Sequence, residues 1–442
     1  MKNRMFKVTM FILASWMIIM TAGAVFAEKT AEKPVEVVFW YFGGLDTELR
    51  LFPKMIEEFN RQNPGIVVKG THFPWDARDE KIMTGFRQKN LPDLITRDSM
   101  AVADLVGMEI LVAFDVEFPD YYNSWEPRFI PEIWNQVSRL DGHKYGIGPY
   151  CSVGPMMIFD PELLESLGLE GVPETFEEFL DFARVVKQNG YIGVSLPASK
   201  ATNDMMIFMD IAYANGGRWL SPDGKKVMVN GPAWVETLKL YDQLNKEGLI
   251  QRGAMQTDYV DALKLTVQGK AGLGMGKDWI NAIVYDLGAP AEKIFNLTRF
   301  PRKKPSPGEY PPVGLTLEGG SDMMMMSTSK VKDAAIKFVD HYASEEVLRN
   351  WGGDPVRGRT PASFVAYDNP AFKKYNPFLY QQFKAETLFE DAIEAPNFRG
   401  LAEMYHILAD AIHEVLLRNT TPQQALNKAQ KQCQEVLDRY IQ

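Results

Sequence analysis

The sequence predicts an α/β protein of two lobes, with domains that are discontinuous along the chain. Three observations support this prediction. Over residues 35–114, short apolar runs typical of strands alternate with amphipathic helical segments. From residue 160 onward the pattern is mostly helical. Strand-like segments then reappear near 296–300 and 314–327 between helical blocks, which indicates that the chain crosses between the lobes more than once.

The first 27 residues have the composition of a secretory signal peptide. Three basic residues near the start precede an apolar stretch over 8–19, and small residues before position 28 suit a cleavage site. The apolar stretch is shorter than the ~20 residues that a membrane-spanning helix requires, which argues against the alternative of a membrane anchor. We therefore expect residues 1–27 to be removed and the mature chain to be soluble and to act outside the cytoplasm.

Composition and charge narrow the classes of partner. The chain has 442 residues, 46% of them hydrophobic and 24% charged, which is ordinary for a globular protein of two or three domains. Loss of residues 1–27 removes three basic residues and no acidic one, and it takes the net charge from −9 to −12. An acidic surface argues against nucleic acid and anionic membranes as partners. Cys151 and Cys433 are the two cysteines, and the sequence does not show whether they pair.

A β-α-β unit is predicted at the start of the mature chain. Its strands cover 35–40 and 66–69, its helix covers 46–60, and a turn at 41–44 precedes the helix. The elements predicted to follow are helix 79–88, strand 91–95, helix 99–106, strand 110–114, an irregular segment over 119–141 and an interrupted strand over 143–149.

The rest of the chain is predicted to combine a few strands with longer helices. A capping box of Thr175 and Glu178 opens one helix, and Thr421 caps the last one. The strand at 271–275 is followed by a glycine turn and by a helix that Asp278 is expected to cap. The remaining predicted elements are strand 155–159, helices 205–214, 232–246 and 258–268, strands 227–229, 314–318 and 322–327, helices 332–342 and 344–351, and helical structure from 371 to the end.

Aromatic residues at the ends of predicted elements are the candidates for a binding surface. Trp279 is the strongest, because it follows the carboxyl end of the 271–275 strand, where α/β folds usually place ligands. Sugars present C–H faces that stack on aromatic rings, and hydroxyls that pair with carboxylates, amides and Arg. Core packing is the alternative for each such residue. The others are Trp40, Tyr41, Trp75, Tyr150, Trp219 and Trp351.

Motifs for catalysis, metals and nucleotides do not match this sequence. The run Gly272-x-Gly274-x-Gly276-Lys277 fails as a phosphate loop, because too few residues separate its outer glycines and Asp278 follows the lysine. No G-x-S-x-G elbow is present. Glu403-x-x-His406 is the single pair with metal-ligand spacing, whereas a di-iron site needs two such pairs. We therefore expect no catalytic residue, metal or cofactor. Paired carboxylates of a glycosidase stay open, because such acids meet only in space.

In these residues and in the order of its segments, the chain resembles the extracellular solute-binding proteins of ABC sugar importers, the family that includes maltose-binding protein. The likeness covers nearly all of the mature chain and rests on the order of its segments. These are Trp40 at the end of the first strand, Ile56-Glu-Glu-Phe-Asn60, Pro64-Gly-Ile-Val-Val68, Pro92-Asp-Leu94, Thr175-Phe-Glu-Glu-Phe179, Ala214-Asn-Gly-Gly217, Gly269-Lys-Ala-Gly-Leu273 with Trp279, Gly319-Gly320, the stretch 329–338 and Thr421-Pro-Gln-Gln-Ala-Leu426.

The resemblance implies a periplasmic-binding-protein fold of a type II-like kind, with a hinge and a ligand cleft between two α/β lobes. Lobe 1 is expected to comprise 35–147 plus 300–342, and lobe 2 to comprise 148–299 plus 343–442. The chain would cross between them near 146–150, near 296–299 and after residue 342.

The resemblance also implies site residues. Trp279 and Tyr405 match stacking positions, and Asp204 matches a carboxylate that binds hydroxyls. Arg97 and Asp98 lie where the family often has Trp, and Met206 replaces an expected aromatic, which argues against a maltose-like ligand. The full predicted ligand-binding set is Trp40, Tyr41, Phe42, Trp75, Arg97, Asp98, Tyr150, Asp204, Trp279, Gly320 and Tyr405.

The expected function is that of the substrate-binding component of an ABC transporter. It would capture a mono- or oligosaccharide outside the cytoplasm and deliver it, by lobe closure, to the transmembrane subunits of a permease. We expect a monomer that is secreted and associates with the membrane through that permease. The alternatives are a polyamine, phosphate ester or acidic oligosaccharide as solute, an extracytoplasmic enzyme acting on carbohydrate, and a sensor subunit. For an anionic solute the candidate contacts are Arg97, Lys277 and Arg357.

Overall fold

The structure is a computed structural model that describes residues 33–44, 46–287, 295–354 and 359–441. The predicted signal peptide over 1–27 and Arg357 lie outside these ranges. Within them, none of the helices combines the length and the apolar character that crossing a membrane requires.

The strands and helices follow one another in an α/β pattern. The strands are β1 Val35–Gly43, β2 Ile66–Pro74, β3 Leu94–Arg97, β4 Arg139–Leu140, β5 His143–Lys144, β6 Gly146–Ile147, β7 Tyr150–Gly154, β8 Met156–Phe159, β9 Ile192–Ser195, β10 Ala271–Gly276, β11 Asn296–Arg299, β12 Thr316–Gly319, β13 Asp322–Met325, β14 Thr360–Pro361 and β15 Ile393–Glu394.

The α-helices vary from one turn to four or more. They are α1 Asp46–Gln62, α2 Arg78–Arg87, α3 Val102–Gly107, α4 Phe114–Glu117, α5 Pro119–Trp125, α6 Pro131–Trp134, α7 Pro161–Ser166, α8 Phe176–Gln188, α9 Thr202–Ala214, α10 Pro232–Lys246, α11 Tyr259–Val267, α12 Ile280–Asp286, α13 Lys332–Tyr342, α14 Glu345–Gly352, α15 Phe364–Tyr367, α16 Pro370–Tyr375, α17 Pro377–Lys384, α18 Leu401–Leu416 and α19 Pro422–Leu437.

The first lobe is built on a five-stranded sheet of order β2-β1-β3-β13-β6. Strand β1 pairs in parallel with β2 and β3, and β13 returns antiparallel between β3 and β6. Helix α1 covers this sheet because its buried residues recur at helical spacing. Among them, Phe52 and Phe59 meet Phe39 of β1 and Phe338 of α13 edge to face.

The second lobe is built on a four-stranded sheet of order β11-β8-β10-β9. Strand β10 lies between β8, which is antiparallel to it, and β9, which is parallel. Its glycines allow the neighbouring helices to pack closely. A Cβ at Gly272 would lie 2.6 Å from Val186 of α8, and one at Gly276 would lie 2.6 Å from the Tyr259 ring of α11. The glycine run therefore serves packing.

A third sheet of order β14-β7-β12-β15 joins the two lobes. Its central strands are antiparallel, and Leu317 pairs with Val153. Strand β7 runs almost directly into β8 of the second lobe, and β12 turns at Gly320 into β13 of the first lobe. We call this sheet the hinge sheet, because both central strands connect one lobe to the other.

The crossing expected near 296–299 lies elsewhere. Asn296–Arg299 is β11, an edge strand of the second lobe that pairs antiparallel with β8. The chain returns to the first lobe later, at Thr316–Gly319, and the crossing expected near 146–150 falls at the start of Tyr150–Gly154. The sequence pattern identified both segments as strands but not the sheets to which they belong.

Several element boundaries also differ from the prediction. Residues 41–43 continue β1 rather than turning, because pairing with β2 extends to Gly43 opposite Pro74. The strand expected at 110–114 is reduced to one bridge, from Leu111 to Met326, before α4 begins. The short strand expected at 227–229 is likewise one bridge to Leu220. The segment 119–141 contains α5 and α6, and β15 interrupts the helical C-terminal part.

Other local predictions are confirmed. The capping boxes at Thr175 and Thr421 are both present, and Pro422 occupies the first turn of α19. Cys151 in β7 and Cys433 in α19 are both buried and free, so the two cysteines do not form a disulfide. Burial raises the pKa of each thiol, to about 12 for Cys433.

Candidate ligand-binding site

A cleft between the lobes contains two adjoining cavities. The larger has a volume of about 550 Å³ and is called the first chamber; the other, of about 390 Å³, is called the second chamber. Both are lined by Trp75, Asn203, Met206 and Glu318, which therefore form their common boundary. Trp75 follows β2 in the first lobe, Asn203 and Met206 belong to α9 in the second lobe, and Glu318 belongs to the hinge sheet.

Trp279 lines the first chamber, as predicted for a pocket wall. Its ring centre lies 4.4 Å from that of Tyr259. The residue is largely buried, with 9% of its surface exposed. The guanidinium carbon of Arg359 lies 5.4 Å from the Trp279 ring centre and 4.8 Å from that of Tyr150. Trp75 contributes a half-buried indole from the first lobe to the same chamber. The chamber therefore has an aromatic side chain from each lobe.

Asp278 anchors the turn that carries Trp279. One carboxylate oxygen of Asp278 accepts hydrogen bonds from the Ser152 hydroxyl at 3.0 Å and the Val153 N–H at 3.1 Å. The other accepts from the N–H and the hydroxyl of Thr360, both at 2.7 Å. These donors belong to the hinge sheet. Helix α12 begins at Ile280, and the Asp278 oxygens accept from the hinge sheet, so the expectation that Asp278 caps this helix is wrong. Trp279 lies in the turn between Asp278 and the helix.

Lys277 lies beneath the chambers in a buried ionic cluster. Its Nζ is 3.0 Å from Asp210 Oδ2 and 3.0 Å from Glu318 Oε2. Burial alone would lower the pKa of Lys277, but the two carboxylates raise it above its ordinary value. The Thr316 hydroxyl donates a 2.6 Å hydrogen bond to the second oxygen of Asp210. Lys277 is thus charged and used internally, and it does not line either chamber.

Asp204 lines the first chamber, but its oxygens are already occupied by the protein. They accept hydrogen bonds from the Ser199 N–H and hydroxyl, both at 2.7 Å, and from the Tyr259 N–H at 2.9 Å. Burial raises the pKa of Asp204 to about 6, against the lowering effect of these donors. The residue therefore holds Tyr259 and the loop before α9 in place, a structural task that the sequence did not indicate.

Arg97 and Asp98 lie together in the second chamber with Arg78. The Arg97 guanidinium is 3.0 Å from Asp98 Oδ2 and 3.0 Å from Asp79 Oδ1. Arg78 lies over the Trp75 ring, with its guanidinium carbon 4.8 Å from the ring centre. The two arginines and two aspartates neutralise one another. An anionic ligand would have to compete with Asp79 and Asp98 for Arg97.

Tyr405 forms another wall of the second chamber. It is buried, and its hydroxyl lies 3.6 Å from Met100 Sδ and 3.5 Å from Met209 Sδ. Burial raises the pKa of the Tyr405 hydroxyl well above its ordinary value.

Of the predicted set, the structure brings four residues to the first chamber and four to the second, with one shared. They are Trp75, Asp204, Trp279 and Gly320 in the first, and Trp75, Arg97, Asp98 and Tyr405 in the second.

Four predicted residues line neither chamber. Trp40, Tyr41 and Phe42 belong to β1, whose alternating side chains pack on both faces of the sheet. Tyr41 and Phe42 are buried, with Tyr41 packed 4.8 Å from the Phe52 ring centre. Trp40 meets the edge of Phe73 at 5.4 Å. Tyr150 is buried in β7, where it supports Arg359 from behind.

Gly320 is required where β12 turns towards β13. A Cβ at this position would lie 2.6 Å from the Tyr150 ring and 2.8 Å from Arg359 Nη1. The glycine therefore lets the Tyr150 ring and the Arg359 guanidinium approach the backbone at the base of the first chamber.

Four residues that were not predicted from the sequence also line the first chamber: Asn203, Tyr259, Glu318 and Arg359. Glu318 carried a signal, since it is a single acidic residue in an apolar strand immediately before Gly319-Gly320. The others carried none that separates them from surface residues. In the part of the chain that the structure describes, no group of three or more His, Cys, Asp and Glu side chains is placed to hold a metal ion.

Comparison with known proteins gives the family. A profile described as bacterial extracellular solute-binding protein matches residues 44–348. A protein of Brucella abortus described as a binding protein is 25% identical and covers 87% of this chain and 89% of its own. YcjN of Escherichia coli, described as an ABC transporter periplasmic-binding protein, is 21% identical and covers 88% of this chain and 89% of its own.

Solved structures of the same architecture agree with the fold. An ABC transporter solute-binding protein of Thermotoga lettingae bound with α-D-tagatose superposes with a TM-score of 0.75 at 22% identity, over 91% of this chain and all of its own. The maltose-bound MalE3 of T. maritima gives a TM-score of 0.76 at 19% identity, over 92% of this chain and all of its own. These structures confirm the predicted two-lobed periplasmic-binding-protein fold.

The matched profile covers most of the chain, and the family that it describes binds solutes and is not enzymatic. The predicted absence of an enzymatic function is therefore confirmed. The chain belongs to the bacterial extracellular solute-binding protein family and is a solute-binding protein of an ABC transporter.

Proposed function

We propose that the protein captures a neutral carbohydrate outside the cytoplasm and delivers it to the transmembrane subunits of a permease. The observation that carries the proposal is the aromatic pair of the first chamber, Trp75 from the first lobe and Trp279 from the second. Aromatic faces suit the C–H faces of a sugar ring, and the same chamber offers Glu318 and Asn203 for its hydroxyls. Closure of the lobes would bring both aromatic residues against one solute.

The charge of the first chamber favours a neutral solute over an anionic one. Its acidic lining residues outnumber its basic ones, which are Lys264 and Arg359. Lys264 is 2.7 Å from Asp261, and Arg359 lies against the rings of Tyr150 and Trp279. The acidic lining residues are Glu48, Asp76, Asp204, Asp258 and Glu318. A phosphate ester or an acidic oligosaccharide would meet net repulsion in this chamber.

The same acidic excess supports a second candidate, a cationic solute such as a polyamine. Carboxylates and aromatic faces both attract ammonium groups. Tagatose and maltose, the ligands bound in the two neighbouring structures, are neutral, and they support a carbohydrate rather than a polyamine as the solute. A direct comparison of the two classes decides between them.

A thermal-shift screen tests the proposal. The panel contains neutral mono- and oligosaccharides, polyols, glucuronate, sn-glycerol 3-phosphate and putrescine. A ligand that binds the folded state alone stabilises it by about 2.7 kcal/mol at a hundred times its Kd. We expect a neutral sugar to raise Tm most and the two anions to leave it unchanged. A response confined to the anions or to putrescine would contradict the proposal.

A further inference from the structure

We propose that the bound solute occupies both chambers, so that the protein is built for a neutral oligosaccharide of two or more units rather than a single sugar ring. This inference rests on the proposed function and adds the length of the ligand to it. Each chamber alone has a volume within the roughly 300–1,000 Å³ that is typical of small-molecule sites. With volumes of about 550 and 390 Å³ and a shared boundary, the two chambers have room for separate units of one extended molecule.

The boundary between the chambers is suited to a continuous ligand. Trp75 and Met206 supply apolar surface there, and Asn203 and Glu318 supply polar groups. These residues come from the first lobe, the second lobe and the hinge sheet. Because they line both chambers, a molecule that extends from one chamber into the other stays in contact with them along the junction.

The polar groups of the boundary are available to a ligand. Glu318 uses Oε2 to meet Lys277 at 3.0 Å, and its Oε1 makes no hydrogen bond within the described ranges. The side-chain amide of Asn203 likewise has no hydrogen-bond partner among the described residues. A carboxylate oxygen and an amide side by side can accept from and donate to the hydroxyls of adjacent sugar units.

The second chamber has the polar groups that a binding site needs. Arg97 lines it and is 6% exposed, and its Nε has no acceptor in the part of the chain described. Asp79 and Asp98 fix the guanidinium in place. Because three basic residues are opposed by four acidic ones, the net charge of this chamber is small, and it suits an uncharged unit. The charged lining residues are Arg78, Arg97 and Arg399, with Asp79, Asp98, Asp104 and Glu318.

Calorimetric titration of the mature protein tests the inference. The probes are glucose through maltotetraose and xylose through xylotetraose, each at lengths of one to four units. Contact of a second unit with the second chamber should lower Kd by at least about tenfold between one unit and two, with little gain beyond the length that fills both chambers.

Two matched substitutions locate the units. Ala201 lines the first chamber and Ala402 lines the second, and both are exposed on the second lobe, so a tryptophan at either position fills a chamber without entering the core. We expect Ala201→Trp to abolish binding of every length and Ala402→Trp to remove the gain that the second unit brings. His406→Trp, at an exposed position of the same helix as Ala402, should leave every Kd unchanged.

The outcomes separate the two proposals. A single-unit sugar that binds as tightly as the longer ones, with Ala402→Trp equal to His406→Trp, overturns the inference and leaves the carbohydrate function in place. If wild-type protein binds neither series and no other neutral sugar of the thermal-shift panel, both proposals fall. A length-dependent gain that Ala402→Trp removes supports the inference.

Discussion

The ammonium group of Lys277 and the carboxylate of Glu318 link the second lobe to the hinge sheet, with Nζ 3.0 Å from Oε2. Lys277 directly follows β10, and Glu318 lies in β12, which leads back to the first lobe. Asp210 of α9 completes the cluster from the opposite side. One oxygen of Glu318 is thus held from below while the residue lines both chambers.

Replacement of Lys277 by Met should destabilise the fold strongly. Asp210 and Glu318 would be left buried without a cation, and loss of one partner of a buried ion pair costs about 3–5 kcal/mol. Urea unfolding measures the change. Lys239→Met is the matched control, because Lys239 pairs with Glu236 on an exposed helix surface, where such a pair contributes about 0–1 kcal/mol. Equal losses of unfolding free energy for the two substitutions would show that the cluster does not stabilise the hinge.

Replacement of Trp279 by Phe should weaken sugar binding by about three- to tenfold, because part of the stacking free energy, which is about 0.5–1.5 kcal/mol, is lost. The conservative change is preferable to Ala, because Trp279 is largely buried against Tyr259 and its truncation would cost about 3–5 kcal/mol of stability. Trp234→Phe is the control, as Trp234 is buried in the second lobe away from both chambers. Calorimetry that finds the same Kd for both variants would exclude Trp279 as a contact.

Replacement of Asp278 by Asn should cost at least about 2 kcal/mol. Each oxygen of Asp278 accepts two hydrogen bonds, so the amide nitrogen of Asn would face donors from Thr360 or from Ser152 and Val153. Denaturant unfolding measures the loss. Asp223→Asn is the comparison, since Asp223 accepts from Ser221 and Lys225 in an exposed turn. A loss no larger than that of Asp223→Asn would show that the tie to the hinge sheet is dispensable.

The contribution of Asp204 to stability should fall as pH rises from about 4 to about 6. Burial raises the pKa of Asp204 from 3.8 to about 6 in the folded protein, so the folded state holds its proton through a range in which the unfolded state releases it. Its contribution is full below pH 4 and is lost as pH passes through 6. The difference in unfolding free energy between wild type and Asp204→Asn should therefore shrink by about 2–3 kcal/mol over this range. A difference that is constant with pH, or that grows, would contradict the raised pKa.

The sequence predicted the lobes more readily than the hinge. The β-α-β start and the long helices were predictable because apolar periodicity and capping residues such as Thr175 act locally. Assignment of Asn296–Arg299 and Thr316–Gly319 to different sheets depends on which distant strand each one meets. That information is not contained in the strand segments themselves.

The lining of the two chambers was predicted only in part, for the same reason. Trp279 was found because its place after a glycine-containing strand is a local signal. Trp40 and Phe42 have similar local signals, yet extension of β1 to Gly43 carries them into the packed faces of the sheet. Arg359 follows no motif, and its place between Tyr150 and Trp279 results from β14 pairing with β7.

Small-angle X-ray scattering of the mature protein, with and without the neutral sugar that raises Tm most, tests the central claim most directly. Closure of two lobes around a solute in the Trp75–Trp279 cleft predicts a smaller radius of gyration at saturation, at a sugar concentration that stays constant during the measurement. An unchanged radius of gyration at saturating sugar would contradict the account.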